Sequence, residues 1–378
     1  MSLLVLALVL VVGLAGPLLA APERARVPVV VGEILLGVLV GRTGFGWVHA
    51  DNPELSFLAA IGFALVMLEA GSHVPLGDPA LRGALRKGVL LAVAVGVLAV
   101  PAGFGVAALA GTGHALLYAV LIASSSAALV VPVLDEAKLR TGPALVTIVQ
   151  VAVADIACIV ALPLAENPAQ AGRAALGAAA VIGAGGLLYL VMRWLRDRGV
   201  LRRLHLLSAR RDFGLELRVR LIILFVLAGL AELLGVSVML AGFVAGLMLR
   251  AEGEPRRLAR QLFGLTDGFL APVFFVWLGA SVDLRALVTS PRLILLAVLL
   301  IAGTVLVHAA TRLAGQPLPF AVLASAQLGL PVAAVTIGTA RALLSPGAAI
   351  LAAAMGSVII TGIASNRAAQ STVNSSPT

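Results

Sequence analysis

The chain consists of long apolar runs separated by short segments that carry most of its charged residues. The runs are about 17–25 residues long, the length of helix that crosses the hydrocarbon core of a bilayer. Backbone groups inside a bilayer must be hydrogen-bonded within the protein, so spanning segments are helices or closed barrels, and barrel strands are shorter. The pattern predicts thirteen helical spans, with approximate limits 2–21, 27–42, 55–73, 88–111, 114–134, 142–165, 174–193, 217–234, 236–250, 262–281, 291–312, 319–341 and 346–365.

Two of these assignments have an alternative interpretation. The eighth and ninth meet at Gly235, where one long kinked helix would also satisfy the pattern. The first has the length of a secretory signal peptide, but it lacks the basic residues that open such a peptide. We therefore interpret the first run as a retained helix.

Composition narrows the class of protein. Hydrophobic residues make up 61% of the chain and charged residues 12%, whereas a soluble domain is about one quarter charged. The single cysteine, Cys158, excludes an intrachain disulfide. The chain is therefore predicted to be an all-α polytopic membrane protein, a single transmembrane domain over residues 1–378, rather than a soluble enzyme. No cofactor motif is recognisable, since the glycine cluster at 183–186 lies inside a predicted helix.

The basic residues are distributed unequally between the two sides of the membrane. With thirteen spans, all but five of the 27 lysines and arginines fall in loops on one side. Basic loops stay in the cytoplasm, which places the amino terminus outside and the carboxyl terminus in the cytoplasm. Because the basic residues occupy short loops, we expect a lipid bilayer and no nucleic acid as partner.

An internal repeat links the two halves of the chain. Glycines four residues apart occur in spans two and nine, at Gly37 and Gly41 and at Gly242 and Gly246. Spans three and ten share Phe-Leu-Ala followed by Gly, Ser and Val, and each pair lies seven spans apart, so the halves have opposite orientation. Chance similarity among glycine-rich helices is the alternative. The predicted parts are a first inverted repeat (27–165), a linker helix with a basic cytoplasmic loop (174–220), a second inverted repeat (236–365) and a short cytoplasmic tail (366–378).

Two spans contain helix-breaking residues at corresponding places. Span five has the serine triplet 124–126 followed by Pro132, and span twelve has Ser325, Gln327 and then Pro331. Proline removes a backbone donor, and serine or glutamine can satisfy the freed carbonyls. A matched pair of interruptions predicts two broken helices with a binding site at the breaks. Two ordinary kinked helices are the alternative.

Asp155 is the main candidate for chemistry. It lies near the middle of span six, with no basic residue nearby in sequence. A carboxylate in hydrocarbon is costly, so such a residue is functional by default. We expect it to bind a proton and a monovalent cation (Na⁺ or K⁺) in turn, with the oxygens of Ser124, Ser125 and Ser126 as candidate ligands. A protonated aspartic acid that merely bonds a neighbouring helix is the alternative.

Other polar residues are weaker candidates. Glu69, late in span three, is a possible accessory acid. Glu33 and Glu232 lie near helix ends and are interpreted as packing or interfacial residues, and His308 as a capped packing histidine.

Three motifs resemble the second branch of the monovalent cation:proton antiporter superfamily, which includes bacterial sodium/proton antiporters and potassium-efflux systems. They are the Pro-x-x-x-Gly-Glu stretch at 28–33, the Gly-x-x-x-Gly stretch at 242–246 and the Pro-x-Phe-Phe stretch at 272–275. The resemblance implies that Asp155 is the ion-binding aspartate and that spans five and twelve are the crossed broken helices. It also implies an elevator-like core moving against a dimerisation domain, a homodimer, and the bacterial cytoplasmic (inner) membrane.

The sequence departs from the family pattern at the site. Many relatives have a polar residue immediately before the aspartate, where this chain has Ala154, and many have a basic residue in the second broken helix, where it has Gln327. With one membrane carboxylate, we expect one proton to be exchanged for one cation without net charge movement. The alternatives are an organic-solute transporter on the same fold, or a channel or sensor that has lost transport.

Overall fold

The computed structural model describes residues 1–20, 29–74, 81–136, 139, 141–166, 170–201, 214–253, 256–327, 329–340, 347, 349–354 and 356–357. Within these residues every regular element is helical. The helices are α1 (Leu3–Ala20), α2 (Val29–Val40), α3 (Pro53–Ser72), α4 (Leu85–Ala110), α5 (Ala115–Ala123), α6 (Ala127–Glu136), α7 (Gly142–Glu166), α8 (Ala171–Asp197), α9 (Leu215–Leu233), α10 (Val238–Glu252), α11 (Arg256–Leu265), α12 (Ala271–Ser281), α13 (Leu284–Thr289), α14 (Pro291–Ala309), α15 (Leu318–Leu323) and α16 (Gly329–Ala340). A π-helical turn, Thr266–Leu270, joins α11 to α12, and a 3₁₀ turn, Ala310–Ala314, follows α14.

The predicted fold class, an all-α membrane protein, is confirmed. In the described part of the chain, six helical segments are long and apolar enough to cross a bilayer: Pro53–Ser72, Leu85–Ala110, Gly142–Glu166, Ala171–Asp197, Arg260–Ser281 and Pro291–Ala314. The segments Leu3–Leu18 and Val29–Val40 are apolar but shorter. Much of the thirteenth predicted span (346–365) lies outside the described residues, so the count of thirteen stays a prediction.

The eighth and ninth spans are separate helices. Gly235 has φ +69°, a left-handed conformation that glycine adopts at little cost, and it lies between α9 and α10. The backbone N–H of Val236 donates to the Ala231 carbonyl at 2.8 Å, which closes the end of α9. The single kinked helix considered as an alternative is therefore wrong.

The chain divides into two compact units. The first unit contains Met1, Asn52–Leu76 and Ala169–Phe274. The second unit contains Ser2–Asp51, Gly77–Pro168 and Phe275–Thr378.

In the first unit, α3 and α10 pack backbone to backbone. An ideal Cβ on Gly242 would lie 2.4 Å from the Ala64 carbonyl oxygen, and one on Gly246 would lie 2.0 Å from that of Leu68. Only glycine permits so close an approach, which explains the spacing of four residues. A buried ion pair between Arg220 of α9 and Glu252 of α10 also belongs to this unit.

In the second unit, the other pair of glycines makes the same type of contact. An ideal Cβ on Gly37 would lie 2.4 Å from the Val276 carbonyl oxygen, and one on Gly41 would lie 2.2 Å from the Ala280 Cα. The helix α4 packs on α5, α7 and α14 in this unit. The two interrupted helices described next belong to this unit.

Candidate ion site at two broken helices

The fifth predicted span is interrupted at its three serines. The helix α5 ends at Ala123, Ser124 is extended (φ −71°, ψ 150°), and α6 begins at Ala127. Serine hydroxyls compete with the helix for backbone partners, and Ser124 Oγ lies 2.8 Å from the Leu121 carbonyl oxygen. The break is at the serines, and Pro132 lies inside α6.

The twelfth predicted span is interrupted between Leu323 and Gly329. The Ser325 hydroxyl donates to the Val322 carbonyl at 2.6 Å and so satisfies a backbone group at the end of α15. Pro331 is the third residue of α16, in the first turn, where a missing N–H removes no helical hydrogen bond. Pro331 therefore starts the second half of the span and does not itself form the break.

The two breaks are hydrogen-bonded to each other. The backbone N–H of Ser126 donates to the Ala326 carbonyl at 2.8 Å, and the Ser125 hydroxyl donates to the Ala324 carbonyl at 2.7 Å. Ser124 Oγ contacts the side-chain amide of Gln327. Backbone groups released by one interruption are thus satisfied by the other, as a membrane interior requires. Of the broken-helix residues that the sequence singled out, the structure joins Ser124, Ser125, Ser126 and Gln327 across the two breaks. Ser325 bonds a carbonyl of its own half of the span, Pro132 lies inside α6 and Pro331 lies in α16.

Asp155 lies at the first break. Its carboxylate Oδ2 accepts a hydrogen bond of 3.1 Å from the backbone N–H of Ala127, the first residue of α6. The N-terminus of a helix carries a partial positive charge, which stabilises a carboxylate placed there. Asp155 is 8% exposed, and no cationic side chain among the described residues forms an ion pair with it. A buried carboxylate thus faces a backbone N–H at a helix N-terminus.

A buried polar network adjoins the crossing, and sequence reasoning missed most of it. The Gln327 side chain donates to the Thr304 hydroxyl at 3.1 Å, and Ser125 Oγ lies 3.4 Å from His308 Nε2. His308 is fully buried. The available signal was the presence of Thr and His in a helix, α14, that is otherwise almost wholly apolar.

The network continues to Gln316. The Gln316 amide donates to the Thr147 hydroxyl at 3.0 Å and to the Gln150 side-chain oxygen at 2.8 Å. The Thr311 hydroxyl lies 2.6 Å from Gln316 Oε1. Gln316 also lines a cleft of about 380 Å³ beside Lys87. These polar side chains therefore extend from an open cleft into the interior of the second unit.

Glu69, the possible accessory acid, belongs to the first unit, whereas Asp155 belongs to the second. The Glu69 side chain lies near that of Asp267, and His73 Nδ1 lies 2.9 Å from the Glu69 carbonyl oxygen. Glu69 thus has a polar environment of its own.

Comparison with known proteins gives matches over most of the chain. The family model described as "Sodium/hydrogen exchanger, transmembrane" matches residues 6–366. The chain is 26% identical to the putative Na(+)/H(+) antiporter YjbQ of Bacillus subtilis over 93% of its own length and 61% of that protein's. It is 26% identical to a Na(+)/H(+) antiporter of Enterococcus hirae, over 69% of this chain and 68% of that protein.

A potassium-efflux protein and a solved structure are also similar. The chain is 28% identical to the glutathione-regulated potassium-efflux system protein KefC of an Enterobacter species, over 75% of this chain and 46% of that protein. The structure of the sodium proton antiporter MjNhaP1 from Methanocaldococcus jannaschii matches with a TM-score of 0.63 and 17% identity, over 97% of this chain and 95% of that one. The fold is therefore shared with a solved antiporter. Because the family model covers nearly the whole sequence, the chain belongs to the sodium/hydrogen exchanger transmembrane family.

Proposed function

We propose that the protein is a secondary active antiporter that exchanges a monovalent cation, Na⁺ or K⁺, for protons. The observation that carries this proposal is the buried Asp155 carboxylate at the crossing of two broken helices. The names of the relatives, which include sodium/proton antiporters and a potassium-efflux protein, support the same class of activity.

The chemistry of the crossing suits an alkali cation. Hard cations take oxygen ligands, and the hydroxyls of Ser124, Ser125 and Ser126 are buried beside the carboxylate's hydrogen-bond partner, Ala127. Backbone carbonyl oxygens at the two breaks are further candidate ligands for the cation. In this arrangement Asp155 supplies the negative charge, and the neutral oxygens replace the water molecules that hydrate the cation in solution.

The movements of protons and cations are coupled because the uncompensated charge of the empty site is costly to move across the membrane. With either a proton or a cation bound, the Asp155 site is neutral, whereas the empty site carries a full negative charge. Insertion scales give about 3 kcal/mol for an aspartate at the centre of a bilayer helix, which corresponds to roughly a hundredfold slower crossing of the empty site. One carboxylate then exchanges one proton for one cation without net charge movement, and participation of Glu69 would change that ratio.

The proposed architecture is a pair of inverted repeats, 27–165 and 236–365, whose core carries the site across by an elevator-like movement in a homodimer. In support, the glycines at matching repeat positions, Gly37 and Gly242, both lie against a backbone carbonyl of a neighbouring helix. The protein would lie in the bacterial cytoplasmic membrane, with its amino terminus outside and its carboxyl terminus in the cytoplasm.

The test is cation-dependent proton movement in everted membrane vesicles. Fluorescence dequenching is measured at several pH values while Na⁺, K⁺ and Li⁺ are titrated. We expect Na⁺ or K⁺ to collapse the pH gradient in wild-type vesicles, without dependence on membrane potential. Asp155→Ala and Asp155→Asn should abolish the response because the carboxylate charge at the crossing is lost.

The matched control is Asp51→Asn, which neutralises an exposed acid in a loop of the same unit and should leave the exchange unchanged. Full activity in Asp155→Ala would refute the proposal. A current proportional to driving force would indicate a channel, and lack of competition between proton and cation would indicate transport of another solute.

A further inference from the structure

Packing alone does not explain the contacts that the His308 side chain makes. Its ring is fully buried on α14, with Nδ1 2.9 Å from the Thr304 carbonyl oxygen and Nε2 3.4 Å from Ser125 Oγ. A carbonyl only accepts hydrogen bonds, so Nδ1 carries the ring hydrogen. In the neutral ring Nε2 is then a lone-pair acceptor that faces the Ser125 hydroxyl.

The hydroxyl of Ser125 has one hydrogen and two acceptors. The Ala324 carbonyl oxygen is 2.7 Å away and His308 Nε2 is 3.4 Å away, so the hydrogen lies on the Ala324 side in this structure. Rotation about the Cβ–Oγ bond of Ser125 moves the hydrogen to the imidazole without breaking a covalent bond. Such a rotation releases the Ala324 carbonyl, which lies at the second break.

We propose that His308 is a positioning residue for the cation site and acts through Ser125. When the cation binds, the Ser125 hydrogen turns from the Ala324 carbonyl to His308 Nε2. The Ala324 carbonyl oxygen and Ser125 Oγ then both have lone pairs available for the cation. When Asp155 carries the proton instead, the hydroxyl returns to Ala324. The proposal rests on the proposed function, because it assigns the ligands of that same site.

The hydrogen bond at the other ring nitrogen serves orientation. The Thr304 carbonyl lies inside α14, where the regular helix already supplies a backbone donor four residues later. The Nδ1 hydrogen bond is therefore not needed to satisfy that carbonyl, but it fixes the tautomer and aims Nε2 at Ser125. An apolar side chain would fill the same space without the cost of burying an imidazole.

The experiment compares His308→Leu, of similar volume and without an acceptor, with His308→Gln, whose side-chain oxygen can accept from Ser125. Exchange in vesicles is measured against cation concentration. His308→Leu should raise the apparent KM for the cation about fivefold, the change that corresponds to one hydrogen bond of about 1 kcal/mol, with the maximal rate retained. His308→Gln should restore most of the affinity, and the control His114→Phe should match the wild type.

A double-mutant cycle separates positioning from general packing. In a Ser125→Ala background, His308→Leu should have no further effect on KM, because the hydroxyl through which it acts is absent. Additive effects of the two substitutions, or an unchanged KM in His308→Leu, would overturn the assignment while leaving the proposed function intact. Wild-type vesicles without cation-dependent exchange would overturn both. If His308→Leu does not give monodisperse protein, His308→Phe replaces it in the same cycle.

Discussion

Substitution of Gly246 by alanine should force apart two helices that touch through their backbones. An ideal Cβ at this position would lie 2.0 Å from the Leu68 carbonyl oxygen, 2.8 Å from the Ser72 nitrogen and 2.9 Å from the Gly71 Cα. Carbon–oxygen contacts normally begin at about 3.3 Å. The helices α3 and α10 would therefore have to separate locally by roughly 1.3 Å.

The expected change in the free energy of unfolding is the sum of two opposing effects. Overpacking against an unyielding backbone costs up to about 3 kcal/mol. Alanine stabilises a helix interior by about 1 kcal/mol relative to glycine, which leaves a net loss of about 2 kcal/mol for Gly246→Ala. Gly183, in α8 of the same unit, has no atom beyond its own helix turn within 4 Å of its ideal Cβ. Gly183→Ala should therefore keep the gain of about 1 kcal/mol.

The assay is thermal unfolding of the purified protein in detergent, followed by the monodisperse fraction in gel filtration. Gly246→Ala should melt below the wild type, and Gly183→Ala should melt at or above it. Equal melting temperatures for the two variants would refute the backbone contact of α3 with α10.

Two further predictions concern buried polar groups. Gln316→Leu should lower the free energy of unfolding by about 2–3 kcal/mol, because Thr147 and Gln150 lose a donor, and unchanged thermal unfolding would contradict the network. Arg220→Met should cost about 3 kcal/mol because it leaves the buried Glu252 carboxylate without its partner. Adding Glu252→Gln to that variant should recover most of the loss in the same assay, and a double variant no more stable than the single one would argue against the pair.

Much of the candidate site could be predicted from residue types alone. Asp155 stands out because a carboxylate is rare within an apolar run, and the structure places it beside the serine triplet 124–126, at the first residue of α6. Thr304 was not recognised and His308 was interpreted as packing, because a single polar residue in a helix does not reveal what it faces. Their contacts with the broken helices depend on α14 packing beside α5 and α15.

The sequence by itself determined the all-helical membrane class, the approximate positions of most of the described helices and the two interruptions. Each of these depends on local composition: the length of an apolar run sets a span, and serine side chains compete with the helix for backbone partners where they occur. The tertiary structure decided which groups meet. Contacts between distant segments bring Ser126 to Ala326 and Gly246 to Leu68. The same kind of contact lets the Asp155 carboxylate accept a hydrogen bond from the N–H of Ala127. Periodicity along one helix carries no information about which helix lies beside it, because in lipid every apolar face can be accommodated equally well.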